Sequence, residues 1–206
     1  MAGTITSIDV QERNRRRVNV QLDGAFAFAV SLEVATRANL RRDMWLSDDA
    51  VARLLADDQV QKTYDSVLSF LSYRPRSEEE VRRYLKRRQA PPDLADRIID
   101  RLKQSGLLDD EAFARFWVEN RETFSPRSDR ALRAELRSKG IDDGTIAASL
   151  PGDDGAAAFE AAMKRAPRLV GAGRDAFRRK LFGFLQRRGF SYDVAREFYK
   201  DFNTAF

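Results

Sequence analysis

Two periods divide the chain. Over the first thirty residues apolar and polar positions alternate. Val18, Val20 and Leu22 fall on one face, and Phe26, Phe28 and Val30 resume the alternation after Asp23-Gly24. Period two marks a half-buried strand, and an Asp-Gly pair between two such runs predicts a hairpin, because a type I′ turn needs positive φ at both central positions. Ile5, Ile8 and Val10 supply a further apolar run. With Arg13-Asn14-Arg15-Arg16-Arg17 as the second turn, the expectation is a small N-terminal β-hairpin or three-stranded element with basic residues at one tip. Two readings of that tip stay open, a solvated turn or a contact for nucleic acid.

From Ser31 onwards the period is helical. Ser47-Asp48-Asp49-Ala50 has the form of an N-cap with an acidic first turn, and Val51, Leu54 and Leu55 follow at helix spacing. The pattern runs on through Val60, Tyr64, Val67, Leu68 and Leu71, which predicts one long helix or two nearly continuous ones.

Sliding the chain against itself reveals a repeat. Arg74-Pro75-Arg76-Ser77 returns 51 residues later as Ser125-Pro126-Arg127-Ser128. At the same shift Val81/Leu85 becomes Leu132/Leu136, and 49 residues further on it becomes Leu181/Leu185. Each pair is spaced i, i+4 and so lies on one helix face. Cationic residues follow each pair and complement the negative helix end, and Gly140 and Gly189 stand where a left-handed stop is needed. In the first copy Gln89-Ala90-Pro91-Pro92 ends the helix instead. Another helix follows in every copy, through Ile98, Ile99 and Leu102, then Ile146 and Leu150, then Val194 and Phe198. Leading helices around 61–73, 109–122 and 155–166 complete each unit. The fold class is therefore mainly α: an N-terminal strand region over 1–60, then three tandem three-helix, helix-turn-helix-like repeats over 61–108, 109–150 and 151–206. Units stacked in series predict an elongated array.

Composition narrows the chemistry. The chain has no cysteine and no histidine, which removes thiolate nucleophiles, Ser-His-Asp catalysis and most transition-metal sites. It carries no phosphate-binding or nucleophile-elbow motif of the G-x-x-x-x-G-K-[ST], G-x-G-x-x-G or G-x-S-x-G kind. An enzyme is disfavoured, and no cofactor or metal is expected. No apolar stretch is long enough for a bilayer, and Met1 to Thr6 lacks the order of a secretion signal, so a cytoplasmic protein is expected. The net charge is +5, with +4 over 61–108 and +4 over 151–206 flanking −2 over 109–150. Such a layout suits contact with a polyanion and with a mixed protein surface.

Arginines recur at helix spacing beside the apolar pairs. Arg127, Arg130, Arg133 and Arg137 form a stripe in the second repeat, Arg82, Arg83, Lys86 and Arg87 in the first, and Arg174, Arg178, Arg179 and Arg187 in the third. Arg74 and Arg76 precede the first stripe. Guanidinium forks match phosphate oxygens and carboxylates; the competing reading is a solvated face with i, i+4 pairs to Glu and Asp. Phe113, Phe116 and Trp117, like Phe177, Phe182, Phe184, Phe190, Phe198 and Phe202, read as core. Tyr73 and Tyr84 leave base stacking open. Asp109-Asp110-Glu111 reads as a helix cap rather than a metal site.

Taken together, these residues resemble the RecX family. Arg74-Pro75-Arg76-Ser77-Glu78-x-Glu80 with Leu85 is similar to the opening of its core. Gly106-Leu107-Leu108-Asp109-Asp110-Glu111-x-Phe113-Ala114 resembles its central signature. Arg178-x-Lys180-Leu181-x-x-Phe184-Leu185-x-Arg187-Arg188-Gly189-Phe190 resembles its third repeat. Leu22-Asp23-Gly24 before Phe26-x-Phe28 is similar to its lead-in. The departures are Ser125, where glycine is usual before the proline, and the altered stop after Gln89. The resemblance implies a non-enzymatic regulator; an extended monomer in the cytoplasm, away from membranes, is the accompanying expectation. It would bind the RecA recombinase filament on single-stranded DNA and restrain ATP hydrolysis, strand exchange and coprotease activity in DNA repair, homologous recombination and the SOS response. The stripes, with Arg74 and Arg76, would then face RecA or filament-bound DNA. A helix-turn-helix transcription regulator is the alternative, although its recognition helix should be richer in Asn and Gln. A magnesium-dependent nuclease would need converging carboxylates, and here they sit at helix starts or among arginines.

Overall fold

Alternation becomes an antiparallel sheet of strands β1 (Gly3–Val10), β2 (Arg17–Leu22) and β3 (Ala25–Ser31). In the computed structural model, which describes residues 2–169, 171 and 173–197, a short fourth strand, β4 (Trp45–Leu46), pairs with β1 to give the order β3-β2-β1-β4. Asp23 and Gly24 both take positive φ, 49° and 83°, as the hairpin turn requires. Irregular pairing corrects the simple alternation at two places. β1 gains a residue between Ile5 and Ser7, so Ile5 and Ile8 both reach the core despite their odd spacing. β3 gains one between Phe26 and Phe28, so Phe28 is buried while Phe26 stands 64% exposed. A bulge shifts every following side chain to the other face.

Helix α1 (Leu32–Arg37) follows β3, capped by the Ser31 hydroxyl, which accepts from Val34 N–H at 3.2 Å. Helix α2 (Asp48–Leu71) is one continuous helix capped by Ser47. Its first turns close the sheet: Val51 and Leu54 join Ile5, Val18, Val20, Phe28 and Val30 in one core.

The repeats follow as α3 (Glu78–Arg87) and α4 (Pro92–Gln104), then α5 (Asp110–Phe124), α6 (Asp129–Ser138) and α7 (Asp143–Ser149), then α8 (Asp154–Arg165) and α9 (Arg174–Arg187). Residues 192–197 are again helical. The three apolar pairs are almost wholly buried, with Val81, Leu85, Leu136, Leu181 and Leu185 at 0% exposure and Leu132 at 1%. Leu132 and Leu136 meet Phe113, Val118 and Ile146 in one core, and Leu181 and Leu185 meet Ala158, Ala161 and Phe190 in another. Phe198 and Phe202, expected in the last core, lie outside the described residues.

By contacts the chain forms two compact units, Met1–Arg74 with Tyr84–Leu102, and Pro75–Arg83 with Lys103–Phe206. Within the second unit the repeat yields a repeated joint. The Ser77 hydroxyl donates to Lys139 carbonyl at 2.7 Å, and Ser128 N–H donates to Arg188 carbonyl at 3.2 Å. Glu78 N–H reaches Asp110 at 2.8 Å, and Asp129 N–H reaches Asp154 at 2.7 Å. Both serines are fully buried. Each joint presses a helix start against a glycine. A Cβ on Gly140 would lie 2.5 Å from Glu79 Cβ, and one on Gly189 would lie 2.7 Å from Ala131 Cβ. Gln89, the corresponding residue of the first copy, keeps the left-handed φ of 57°.

Candidate functional site

The joints decide which cations are occupied. Arg83 donates to Glu79 at 2.7 Å and to Ser138 carbonyl at 3.2 Å, and Arg130 donates to Gly189 carbonyl at 3.2 Å. Arg82 pairs with Glu78 at 2.7 Å, and Arg137 with Asp143 at 2.8 Å. Arg127 belongs to a packed network. Its Nε lies 2.9 Å from Glu135 but without the alignment of a hydrogen bond. Trp117 Nε1 and Arg121 Nε each donate to the same carboxylate at 2.8 Å. Five of the proposed contact residues thus hold helix ends or carboxylates in place.

The remainder divide by exposure. Lys86 and Arg87 in α3, and Arg179 and Arg187 in α9, are exposed and make no ion pair among the described residues. Arg133 is half-buried. Arg174 and Arg178 are exposed, with Arg178 over the Phe182 ring at 5.6 Å, and Arg74 and Arg76 are half-buried in the turn before α3. Asp175, Arg178, Arg179 and Phe182 of α9, with Tyr192 beyond its end, line a cleft of about 290 Å³.

Aromatic positions follow the core expectation. Phe113 is buried, and Trp117 packs partly on the same core. Tyr84 lies flat on Phe70 with ring centres 4.4 Å apart, and its hydroxyl donates to Ser66 carbonyl at 3.1 Å. That leaves Tyr73, 84% exposed, as the aromatic of the pair with a free face.

Acidic residues serve the scaffold. Asp109 caps α5 by accepting from Ala112 N–H at 3.0 Å. Burial and the nearby Glu78 raise the Asp110 carboxyl above its ordinary value, against the bond it accepts from Glu78 N–H. Burial and Asp154 raise Asp129 likewise. For Glu78 burial works upward, but the bonds from Lys103 and Arg82 prevail and hold it low. Among the described residues no group of three or more carboxylates could hold a metal.

Two arrangements escaped the sequence. Arg17, placed at the basic tip, instead points inward, donating to Ala29 carbonyl at 2.7 Å and pairing with the buried Asp58 at 3.1 Å. The second is a cleft of about 380 Å³ lined by Arg37, Val60, Tyr64, Arg97, Ile98 and Arg101. The Arg101 guanidinium lies 3.8 Å above the Tyr64 ring, and the Gln61 carbonyl oxygen accepts from Arg101 at 3.3 Å and Arg37 at 3.5 Å. The i, i+4 spacing of Arg97 and Arg101 was legible; nothing local links them to Arg37.

An N-terminal strand element, serial three-helix units and arginine-rich helix faces define a helical-repeat protein. Four family models match in order: the regulatory protein RecX N-terminal domain over residues 3–47, then the first, second and third RecX three-helix domains over 64–102, 109–150 and 153–199. The regulatory protein RecX of Bacillus subtilis (strain 168) is 33% identical over 194 residues, covering 92% of this chain and 74% of its own length. That of Halalkalibacterium halodurans is 34% identical over 150 residues, covering 71% of this chain and 56% of its own. A crystal structure of a regulatory protein RecX superposes with a TM-score of 0.74 at 27% identity, over 97% of this chain and all of that one. RecX from Lactobacillus salivarius gives a TM-score of 0.59 at 26% identity, over 72% of this chain and 99% of that one. The chain belongs to the RecX family of regulatory proteins. That is a family of regulators rather than of enzymes, and no helix among the described residues is long and apolar enough to cross a membrane.

Proposed function

We propose that this chain regulates the RecA recombinase: it binds the RecA filament on single-stranded DNA and inhibits ATP hydrolysis, strand exchange and coprotease activity, acting in the cytoplasm as a monomer within the SOS response. The observation that carries the reading is the match of all four RecX domains in order along the chain. Repeats in series, taken as regions 61–108, 109–150 and 151–206 after an N-terminal region 1–60, would make several weak contacts whose linkage raises affinity through effective concentration. Among the arginines singled out from the sequence, Lys86 and Arg87 in the first repeat and Arg179 and Arg187 in the third are the contacts we favour, since their charges are exposed and unpaired among the described residues. Arg74, Arg76, Arg133, Arg174 and Arg178 are kept as secondary contacts. Arg82, Arg83, Arg127, Arg130 and Arg137 would act through the scaffold that positions the others.

The test is single-stranded-DNA-dependent ATP hydrolysis by RecA, titrated with this protein while free DNA is held in excess. Inhibition that excess DNA does not relieve supports direct regulation, and its stoichiometry separates coating of the filament from capping of its end. Loss of the effect on adding DNA would reduce the protein to a general nucleic-acid binder.

A further inference from the structure

One face of the N-terminal sheet builds the core and the other does not. Ile5, Val18, Val20, Phe28 and Leu46 point inward, where Val34 of α1 and Val51 and Leu54 of α2 join them. The alternate positions point the other way. Thr4 pairs with Trp45, and Gln21 pairs with both Ser7 and Phe26. Side chains opposite one another across a ladder share a face, so Trp45 and Phe26 stand on the outer face with Thr4, Ser7 and Gln21. The rings are 63% and 64% exposed, and neither makes a ring contact among the described residues. They belong to the two edge strands, β4 and β3, which at the usual strand spacing puts them roughly 14 Å apart across the sheet. A strand of about four nucleotides crosses that gap. Between the rings the floor is polar. The half-buried Gln21 side-chain amide makes no bond among the described residues, so its donor and acceptor are both open to a base edge.

Cations border the same sheet. Arg13, Arg15 and Arg16 occupy the turn between β1 and β2, and Arg41 and Arg42 the turn before β4. All five are exposed and form no ion pair among the described residues. The carboxylates nearest in sequence, Asp9, Glu12, Asp23 and Asp43, do not engage them. Asp9 accepts instead from the Ser7 hydroxyl at 2.8 Å, and Asp23 from Thr4 N–H at 3.0 Å. Rings at two edges, an amide between them and guanidinium groups at the borders complement unpaired bases joined by phosphates. The centre of a protein interface is apolar, whereas the centre of this face carries hydroxyls and an amide.

We propose that the outer face of this sheet is a platform for single-stranded nucleic acid. Phe26 and Trp45 stack on bases, Gln21 meets a base edge between them, and the arginines of the two bordering turns hold the phosphates. The platform lies apart from the arginine stripes of the repeats and requires no recombinase. It can therefore fail its test while regulation of RecA stands, and pass it while that reading falls.

The experiment uses the full chain with labelled oligothymidylate and with an abasic strand of the same length and charge, followed by fluorescence anisotropy over a salt series. Phe26→Ala and Trp45→Ala alter exposed side chains, and circular dichroism checks that both variants fold. Each is expected to weaken oligothymidylate binding about tenfold, within the range of one stacked base, and to leave the abasic strand unaffected. Joint replacement of Arg13, Arg15 and Arg16 by Gln should weaken both strands alike and lower the slope of log affinity against log salt by roughly two, as expected for three lost contacts to single-strand phosphates. Wild-type protein that binds the abasic strand as tightly as oligothymidylate, or ring variants of unchanged affinity, overturns the proposal. Sedimentation velocity tests the competing occupant. A wild-type dimer that Trp45→Ala dissolves without weakening oligothymidylate binding assigns the face to a second copy of the chain and overturns the platform.

Discussion

Asp58 is 1% exposed, so its charge must be met inside the protein. Arg17, Lys62 at 2.9 Å and Ser31 N–H at 2.7 Å meet it. Burial would raise the carboxyl, yet these bonds outweigh burial and hold it below the ordinary carboxylate range. Because the folded value is depressed, the stabilisation is complete above the unfolded value and is lost as pH falls through the folded one. Asp58→Asn leaves Arg17 partly buried beside an amide and should cost about 3 kcal/mol near neutrality. Urea titrations across pH check both statements: the wild type should lose stability on acidification more steeply than the variant. A variant as stable as the wild type at neutral pH would mean that the pair is a surface ornament of the fold.

At the scale of elements, a glycine after α6 and another after α9 do two tasks at once. Each takes positive φ, 83° at Gly140 and 97° at Gly189, and each receives the start of a preceding helix against its bare Cα. Gly106 has φ of 67° but nothing within 4 Å of a Cβ. Gly106→Ala should therefore cost only the left-handed strain, about 1 kcal/mol. Gly140→Ala adds the overlap with Glu79 and should cost about 3 kcal/mol; thermal denaturation of the two variants measures the joint by difference. Gln89→Gly, in the copy whose corresponding turn still wants positive φ, should stabilise by roughly 0.5–1 kcal/mol. Ser125, the other departure, has φ of −157°, open to any residue, and its hydroxyl accepts from Arg188. Helices, hairpin turn and buried pairs were thus legible, since period and turn chemistry are local. The bulges that expose Phe26 and turn Ile8 inward were not, because strand pairing sets them rather than the run of side chains.

For the molecule as a whole, the arginines differ in how far their charge is already engaged within the fold. Sequence spacing placed Arg83, Arg130 and Arg137 on helix faces, but it gave no sign that Ser138, Gly189 and Asp143 would receive them. Carbonyls at helix ends attract cations, so a repeat with cationic helix faces and glycine stops uses part of its charge on itself. This separates two kinds of variant. Charge reversal of Arg130, Arg133 and Arg137 together removes a bond to Gly189 and a pair with Asp143, so any loss of filament binding should come with a lower melting temperature. Charge reversal of Lys86, Arg87, Arg179 and Arg187 breaks no ion pair among the described residues. It should leave the melting temperature within a few degrees while weakening inhibition of RecA ATP hydrolysis at least tenfold, with the deficit growing smaller as salt rises. Calorimetry and the ATPase titration on the same two preparations decide the matter. Full inhibition by the second variant would move the working surface off these four cations.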